Sequence, residues 1–154
     1  MLDWEKLYRE RHMAYTDVRP SITITGIEET TIANYFATIN REDFVATANL
    51  FAKDGELKAP FEQPIIGQKA IADYLAKEAK GMKLLPEQGT IVTEDGIERF
   101  KVKGKVKTPL FSVHVAWYFC LNKEREITQA RIKLLASPQE LLGLKQTKEN
   151  STQS

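Results

Sequence analysis

The sequence predicts an α+β domain in which three N-terminal helices pack on one face of a curved, mainly antiparallel sheet. Apolar residues recur at helical spacing before Pro86, and the period changes to two after it. Asp95-Gly96 joins two of the alternating runs, and this dipeptide is typical of a tight β-hairpin. Helices followed by an antiparallel meander favour a two-layer arrangement around a single core.

The first two helices are predicted from apolar stripes on one side. The first stripe falls at i, i+3, i+4 and i+7 and consists of Ile32, Tyr35, Phe36 and Ile39. Asn40 is expected to be the N-cap of the second helix, with Asp43 at its third position. The stripe of that helix consists of Phe44, Ala48 and Phe51. Asp54-Gly55 is expected to end it.

The third helix follows a short extended piece. Residues 56–61 are expected to be extended, with Pro60 near their end. Gly67 opens the helix, which Gly81 and Pro86 bracket at its end. Its inward residues are predicted to be Ile71, Tyr74, Leu75 and Met82.

Four strands and a closing helix complete the predicted domain. The strands are 88–94, 97–107, 112–121 and 127–136, with a turn over 122–126. Ser137-Pro138-Gln139-Glu140 then supplies an N-cap, a proline at the first helical position and a capping-box glutamate. This pattern predicts a short closing helix that contains Leu141, Leu142 and Leu144.

The chain is expected to form one domain with a segment on either side. Its 154 residues are enough for one core and few for two. Residues 22–144 form the predicted domain, and 145–154 are expected to be a disordered tail. Residues 1–21 are an appendage in which Trp4, Leu7 and Tyr8 recur at the spacing of a short helix.

Composition excludes several classes of function. A net charge of +1 argues against nucleic-acid binding by bulk electrostatics. Cys120 is the only cysteine, which fits a reducing compartment. His12 and His114 are far apart in sequence, so no metal-ligand cluster is predicted. Without an apolar leader or a run of ~18 apolar residues, the expectation is a cytoplasmic domain with no membrane span.

Tyr35 and Trp117 are the strongest candidates for a binding site. Tyr35 lies on the apolar stripe of the first helix, and Trp117 lies in the middle of an apolar strand. Each carries one polar hydrogen, and a buried aromatic residue normally satisfies that hydrogen. If both face one cavity, they can donate to a single oxygen of an otherwise apolar ligand. The alternative is that both rings only fill the core.

A row of basic residues lies on one side of the predicted strand 97–107. Its members alternate with apolar or small residues and are Arg99, Lys101, Lys103, Lys105 and Lys107. This pattern fits a solvated face that resists edge aggregation, or a docking face for an acidic protein or anionic headgroups. On the next strand, Tyr118 and Cys120 share a face with His114, opposite in phase to Trp117.

Four blocks of sequence carry a resemblance to a known family. In order, they are Pro60 to Gly67, Met82 to Gly89, Lys103 to Pro109 and Leu134 to Leu142. Together they resemble the nuclear transport factor 2-like superfamily, and within it the C-terminal domain of the orange carotenoid protein and its stand-alone homologues. The resemblance covers residues 26–144 and implies a cone with an apolar pocket and a homodimer through the outer face of the sheet.

The resemblance also implies roles for individual residues. Tyr35 and Trp117 match the two donors to the carbonyl oxygen of a ketocarotenoid, and Glu78 matches a contact with a partner domain. Leu110 stands where the family shows another tryptophan beside the ligand, and the segment from Phe111 to Val115 is shorter than in carotenoid binders. The pocket walls are predicted to include Val113, Val115, Phe119, Ile32, Ile39, Phe44 and Tyr74.

The same fold also hosts ketosteroid isomerases and cyclases, so an enzyme is the second hypothesis. The carboxylate base of the isomerases falls at Ala59, and Trp117 replaces their neutral acid. Asp54, Glu56 and Glu62 are possible substitute bases, although they are more typical of turns and rims. The first hypothesis is therefore a non-catalytic binder of an apolar carbonyl compound. The third is a ligand-free interaction module.

Overall fold

The computed structural model describes residues 22–135, and all structural statements refer to that part of the chain. It contains three helices, which are α1 (Thr30–Asn40), α2 (Phe44–Ala48) and α3 (Gln68–Glu78). It also contains six strands, which are β1 (Phe51–Lys58), β2 (Ile65–Ile66), β3 (Lys83–Glu94), β4 (Ile97–Lys107), β5 (Ser112–Leu121) and β6 (Ile127–Leu134). The α+β class is confirmed, although β1 and β2 precede α3, so the helices do not all come before the sheet.

The six strands form one sheet in the order β2-β1-β6-β5-β4-β3. All neighbouring pairs are antiparallel except β1 and β6, which are parallel. Trp117 pairs with Val102 of β4 and with Ile132 of β6, so it lies in the interior of the sheet. The predicted hairpin is confirmed. Asp95 and Gly96 have φ of 53° and 77°, as a two-residue turn of this type requires.

Helix α1 is held at both ends by side chains. At its start, a Glu29 carboxylate oxygen accepts a hydrogen bond from the Thr31 amide, and Arg125 pairs with the same carboxylate. At its end, the Asn40 side chain donates to the Leu84 carbonyl at 2.8 Å and accepts from the Leu84 amide at 2.7 Å. The predicted stripe of this helix is buried, which fixes the rotation of α1 above the sheet.

The second helix differs from the prediction at both ends. Asp43, and not Asn40, is its N-cap, because the Asp43 side chain accepts from the Ala46 amide. The helix ends at Ala48, and Phe51 begins β1, so Asp54-Gly55 lies within a strand. The pairing register of β1 with β6 shifts between Phe51 and Glu56. Gly55 fits this irregular stretch, because a Cβ there would lie 2.7 Å from the Ile127 carbonyl oxygen. Pairing with β6 therefore overrides the helical pattern.

The third helix and the first long strand also differ in their bounds. Helix α3 ends at Glu78, so Met82 lies beyond it. Strand β3 begins at Lys83 and contains Pro86, whereas the prediction began the strand at 88. Proline is tolerated there because β3 is an edge strand and the register shifts between Pro86 and Gln88. Strand β2 was not predicted.

Some predictions fall outside the described residues. These are the appendage over 1–21, the capping box over 137–140, the closing helix with its leucines and the tail over 145–154. Among the described helices, none is long and apolar enough to cross a membrane.

Candidate functional site

A cavity of about 440 Å³ lies between α1, α3 and the inner face of the sheet. This volume is within the usual range for small-molecule sites. Residues from the predicted set that line it are Tyr35, Ile39, Tyr74, Glu78, Leu110, Val113, Val115 and Trp117. The structure therefore brings the two candidate donors to the wall of one cavity.

Three predicted wall residues lie elsewhere in the core. Ile32 and Phe119 are fully buried, and Phe44 is half-buried against the core cluster. Ile32 lies one helical turn before Tyr35, and Phe119 lies two residues after Trp117. Both positions are beyond the end of the cavity, where aromatic rings fill the space instead. These three residues are not among those that line the cavity, because a shared face does not imply a shared position along the strand or helix.

The cavity is also lined by many residues that were not predicted to be part of a site. They are Leu57, Ala59, Pro60, Phe61, Leu75, Ala79, Met82, Leu84, Val106, Thr108, Phe111, Ile132 and Leu134. Val106, Ile132 and Leu134 pair with Val113, Trp117 and Val115, so strand phase combined with register would have found them. The lining residues in loops, such as Phe61 and Phe111, follow no strand or helix period and could not be found in this way.

Tyr35 is 1% exposed and lies at one wall of the cavity. Its ring meets Phe36 and Phe119 edge-on, with ring centroids 5.2 and 5.0 Å away. Burial, and then the influence of Tyr74, raise the pKa of Tyr35 above its ordinary value, so the hydroxyl stays protonated. Within residues 22–135 this hydroxyl makes no hydrogen bond, which leaves its proton available to a ligand.

Trp117 is also 1% exposed and lines the same cavity. The Phe36 ring packs edge-on against it, at a centroid distance of 4.7 Å. Its indole N–H makes no hydrogen bond to any other residue of the described chain. Phe36 therefore contacts both donor residues and restrains the rotamers of both rings.

Tyr74 adds a third polar group to the cavity wall. It is half-buried on α3, between the deeply buried Tyr35 and the exposed Glu78. Burial, followed by the carboxylates of Glu62 and Glu78, raises the pKa of Tyr74 to about 12. Its hydroxyl is therefore protonated at neutral pH and can donate a hydrogen bond.

The cavity opens at a cluster of exposed apolar side chains. Leu110, Phe61 and Phe111 line it and are 84%, 50% and 39% exposed. A tight turn holds the loop that carries two of them, because the Thr108 hydroxyl oxygen accepts from the amides of Leu110 and Phe111. We call the opening framed by Phe61, Leu110 and Phe111 the mouth.

The carboxylates near the cavity are few. Ala59, at the position of the isomerase base, is buried and lines the cavity without any titratable group. Asp54, Glu56 and Glu62 are not among the lining residues, and Glu78 is the only acidic side chain on the described wall. The described residues also contain no group of three or more His, Cys, Asp or Glu side chains suited to hold a metal ion.

The outer face of the sheet carries the predicted basic row. Arg99, Lys101, Lys103, Lys105 and Lys107 face outward, since the residues between them are buried. The ammonium groups of Lys101 and Lys133 lie 5.6 and 5.8 Å from the centroid of the Tyr118 ring. Arg99 donates to the Cys120 sulfur at 3.3 Å. Outward-facing residues of β5 and of β4 thus form one surface.

No family model matches the chain. The chain is 41% identical over 133 residues to the orange carotenoid-binding protein of Synechocystis sp., a match that covers 83% of this chain and 42% of the relative. The chain therefore spans less than half the length of the curated relatives that it matches.

Solved structures also show similarity to orange carotenoid proteins. The structure of the orange carotenoid protein of Anabaena (Nostoc) sp. PCC 7120 binding canthaxanthin matches with a TM-score of 0.72 and 41% identity, covering 83% of this chain and 42% of that one. A nuclear transport factor 2-like protein from Cytophaga hutchinsonii matches with a TM-score of 0.58 at 15% identity, over 79% of this chain and 98% of that one. The chain is therefore a homologue of the orange carotenoid-binding proteins, similar to their C-terminal domain, with a nuclear transport factor 2-like fold.

Proposed function

We propose that the protein binds or carries an apolar small molecule with a carbonyl group, such as a ketocarotenoid, without chemically changing it. The observation that carries the proposal is the pair of unused donors, Tyr35 and Trp117, at the wall of one largely apolar cavity. Homology to orange carotenoid-binding proteins supports a carotenoid as the ligand class. No cofactor is required for this activity.

The apolar residues of the cavity wall and its hydrogen-bond donors contribute to binding in different ways. Burial of apolar ligand surface contributes ~25 cal/mol per Å² and supplies most of the affinity. A hydrogen bond contributes only about 0.5–1.5 kcal/mol net, but an unpaired donor in an apolar site costs about 1–3 kcal/mol. The donors of Tyr35 and Trp117 therefore favour a ligand with an oxygen and fix which end enters first.

The size of the cavity limits how a carotenoid would bind. A carotenoid is much longer than this cavity, so one carbonyl-bearing ring would occupy it and the polyene would leave through the mouth. The apolar side chains of Phe61, Leu110 and Phe111 are suited to contact that polyene. Leu110 replaces a larger aromatic residue of the resembled family, and this leaves the mouth wider at that position.

Absorption spectra of the protein after incubation with a ketocarotenoid test the proposal. Wild type is expected to bind it and shift its visible band to the red, because hydrogen bonds to the carbonyl oxygen polarise the conjugated system. Tyr35→Phe and Trp117→Phe should each reduce the shift. Tyr118→Phe, which removes a hydroxyl from the outer face, is the matched control and should leave it unchanged. Failure of wild type to take up any carotenoid would overturn the proposal.

The enzyme hypothesis has less support. The wall offers Glu78 near the mouth and Ala59 where an isomerase has its base, so no carboxylate lies beside the two donors. Assay of a steroidal enone with wild type and Glu78→Gln separates the hypotheses. Turnover that Glu78→Gln abolishes would favour an isomerase- or cyclase-like enzyme. The third hypothesis, a ligand-free interaction module, requires that no apolar ligand copurifies.

Several expectations about assembly stay predictions. They are a homodimer through the outer sheet face, an acidic protein partner at the basic row and contact of Glu78 with a partner domain. The exposure of the row and of Glu78 supports them. The division into 1–21, 22–144 and 145–154 and the cytoplasmic location are predictions of the same kind. Sedimentation of the whole protein, with and without Cys120→Ser, measures the oligomeric state.

A further inference from the structure

Charge is distributed unevenly between the two ends of the sheet. At the mouth end, where β3 and β5 begin and β4 and β6 end, the basic residues are Lys58, Lys80, Lys83, Lys107 and Lys133. Four acidic residues, Glu42, Asp43, Glu62 and Glu78, lie at the same end, where the basic residues also include Arg41 at the end of α1 and Lys77 in the last turn of α3. The mouth end is therefore basic, although the net charge of the whole chain is only +1.

The opposite end is acidic. It contains the start of α1, the β3–β4 hairpin turn and the turn between β5 and β6, which meet where Arg125 approaches Glu29 and Glu98. The acidic residues of these segments are Glu28, Glu29, Glu94, Asp95, Glu98, Glu124 and Glu126. Three basic residues, Arg99, Lys123 and Arg125, only partly balance them. The molecule thus has an electrostatic dipole along the strands, with the positive end at the mouth.

The mouth combines this positive charge with exposed apolar surface. Leu110 is 84% exposed, the largest value among the exposed large apolar residues of the described chain, and Phe61 and Phe111 flank the same opening. Lys107 lies three residues before Leu110, and Lys80 lies between Ala79 and Met82, which both line the cavity. Exposed apolar side chains surrounded by basic ones are typical of surfaces that insert shallowly into a lipid interface.

We infer that the mouth docks on an anionic lipid bilayer. Leu110 and Phe111 enter the interface, and the lysines around them contact acidic headgroups. The acidic far end is repelled by the same surface, so the dipole turns the mouth toward the bilayer. The docking itself depends only on the surface. The use of docking to load an apolar ligand directly from the bilayer rests on the proposed function.

Charge complementarity favours an anionic bilayer, and not residues 1–21 or 136–154 of the same chain, as the binding partner of the mouth. Residues 1–21 contain four acidic and four basic residues, and residues 136–154 contain two of each. Neither segment carries the net negative charge that would favour its binding to the basic residues around the mouth. An anionic bilayer offers both negative charge and an apolar interior, which matches both features of the mouth.

Co-sedimentation of the ligand-free protein with vesicles tests the inference. Wild type is expected to bind phosphatidylcholine vesicles that contain phosphatidylglycerol, to bind pure phosphatidylcholine weakly, and to dissociate at high salt. Lys80→Gln/Lys107→Gln should lower the partition coefficient on the order of 25-fold. Leu110→Asn should lower it about tenfold, because less apolar surface is buried.

The matched control removes the same formal charge far from the mouth, near the start of β1 and in the turn between β5 and β6. Lys53→Gln/Lys123→Gln should leave the partition coefficient within about twofold of wild type, because charges more than one Debye length from the bilayer are screened. Loss of binding in this control to the same extent as in Lys80→Gln/Lys107→Gln would overturn the assignment to the mouth. So would Leu110→Asn binding as tightly as wild type.

Two other outcomes also overturn the inference. If wild type does not bind the anionic vesicles, an acidic protein becomes the favoured partner of the basic surface. Binding that only Lys101→Gln/Lys103→Gln abolishes would assign the contact to the outer sheet face. Because the vesicles contain no carotenoid, failure here does not affect the proposed ligand. Conversely, failure of carotenoid uptake would leave the docking result unchanged.

Discussion

The layer between α1 and the sheet has two halves that differ in how they are filled. In one half, which we call the packed half, Phe36, Phe51 and Phe119 fill the space with closely spaced aromatic rings. In the other, the cavity half, the facing residues are short or aliphatic, such as Ala59 and Val113. Tyr35 and Trp117 lie at the boundary between the halves. The comparison indicates that stability comes mainly from the packed half and binding from the cavity half.

The largest expected effect comes from emptying part of the packed half. Phe36 is fully buried and contacts Tyr35, Trp117 and Phe119. Phe36→Ala should lower the free energy of unfolding by about 3–5 kcal/mol, since large buried rings leave large cavities. Denaturation by urea measures the change. A loss below about 1 kcal/mol would mean that the packed half does not dominate stability.

Two substitutions, each of which replaces a buried alanine by leucine, compare the two halves directly. Ala130 pairs with Phe119 and is fully buried in the packed half, so Ala130→Leu should cost about 1–3 kcal/mol by overpacking. Ala59 lines the cavity, so Ala59→Leu should leave the free energy of unfolding nearly unchanged while reducing ligand uptake. Urea denaturation and carotenoid titration of both variants provide the measurements. Equal costs in stability would remove the distinction between the halves.

Removing a hydroxyl should change the free energy of unfolding in opposite directions at two buried positions. The Tyr35 hydroxyl has no protein partner in the described chain, so Tyr35→Phe should raise the free energy of unfolding by up to about 1 kcal/mol. The Thr47 and Thr38 hydroxyl oxygens are 2.6 Å apart and buried, so Thr47→Val should lower it by about 1–2 kcal/mol. Thermal unfolding without ligand compares them. Destabilisation by Tyr35→Phe would contradict an unused donor.

The smallest expected effect is a pH dependence at the end of the packed half. Burial alone would raise the pKa of Glu29, but the hydrogen bond and charge of Arg125 and the Thr31 amide together lower it below the ordinary 4.5. The ionised form is thus favoured on folding. Its stabilisation is complete above pH 4.5 and is lost as the pH falls through the lower folded-state pKa.

The test compares wild type with Glu29→Gln at pH 7 and pH 3. Wild type should lose more stability on acidification than the variant, by less than about 1 kcal/mol, because the pair is partly exposed. Lys69→Gln, which breaks an exposed pair with Asp73, is the control and should behave like wild type. An equal loss in Glu29→Gln and wild type would show that another carboxylate is responsible.

The regular parts of the fold were predictable because each gives a periodic signal. The stripe of α1, the Asp95-Gly96 hairpin and the outward phase of the basic row all follow from local spacing. The first part of strand β1 was missed because Phe44, Ala48 and Phe51 also fit a helix, whereas residues 56–58 fall in the piece that was predicted to be extended. The parallel partner of β1, strand β6, lies far along the chain, and no local pattern reveals it.

The candidate site was predictable only in part, for a related reason. Spacing identifies which face a residue occupies, so Tyr35, Val115 and Trp117 could be placed on the inner face. It does not tell whether the space above that face is filled, which is why Phe119 was assigned to the wall. The loop residues of the mouth, such as Phe61 and Phe111, follow no period at all.

The position of Phe36 has a consequence for spectroscopy. Its ring lies edge-on against Tyr35, Trp117 and Phe119, so its protons experience the ring currents of three neighbours at once. A ligand that moves either donor by a fraction of an ångström changes those currents without touching Phe36. The ring resonances of this one buried phenylalanine therefore report occupancy of the cavity for any ligand, coloured or colourless.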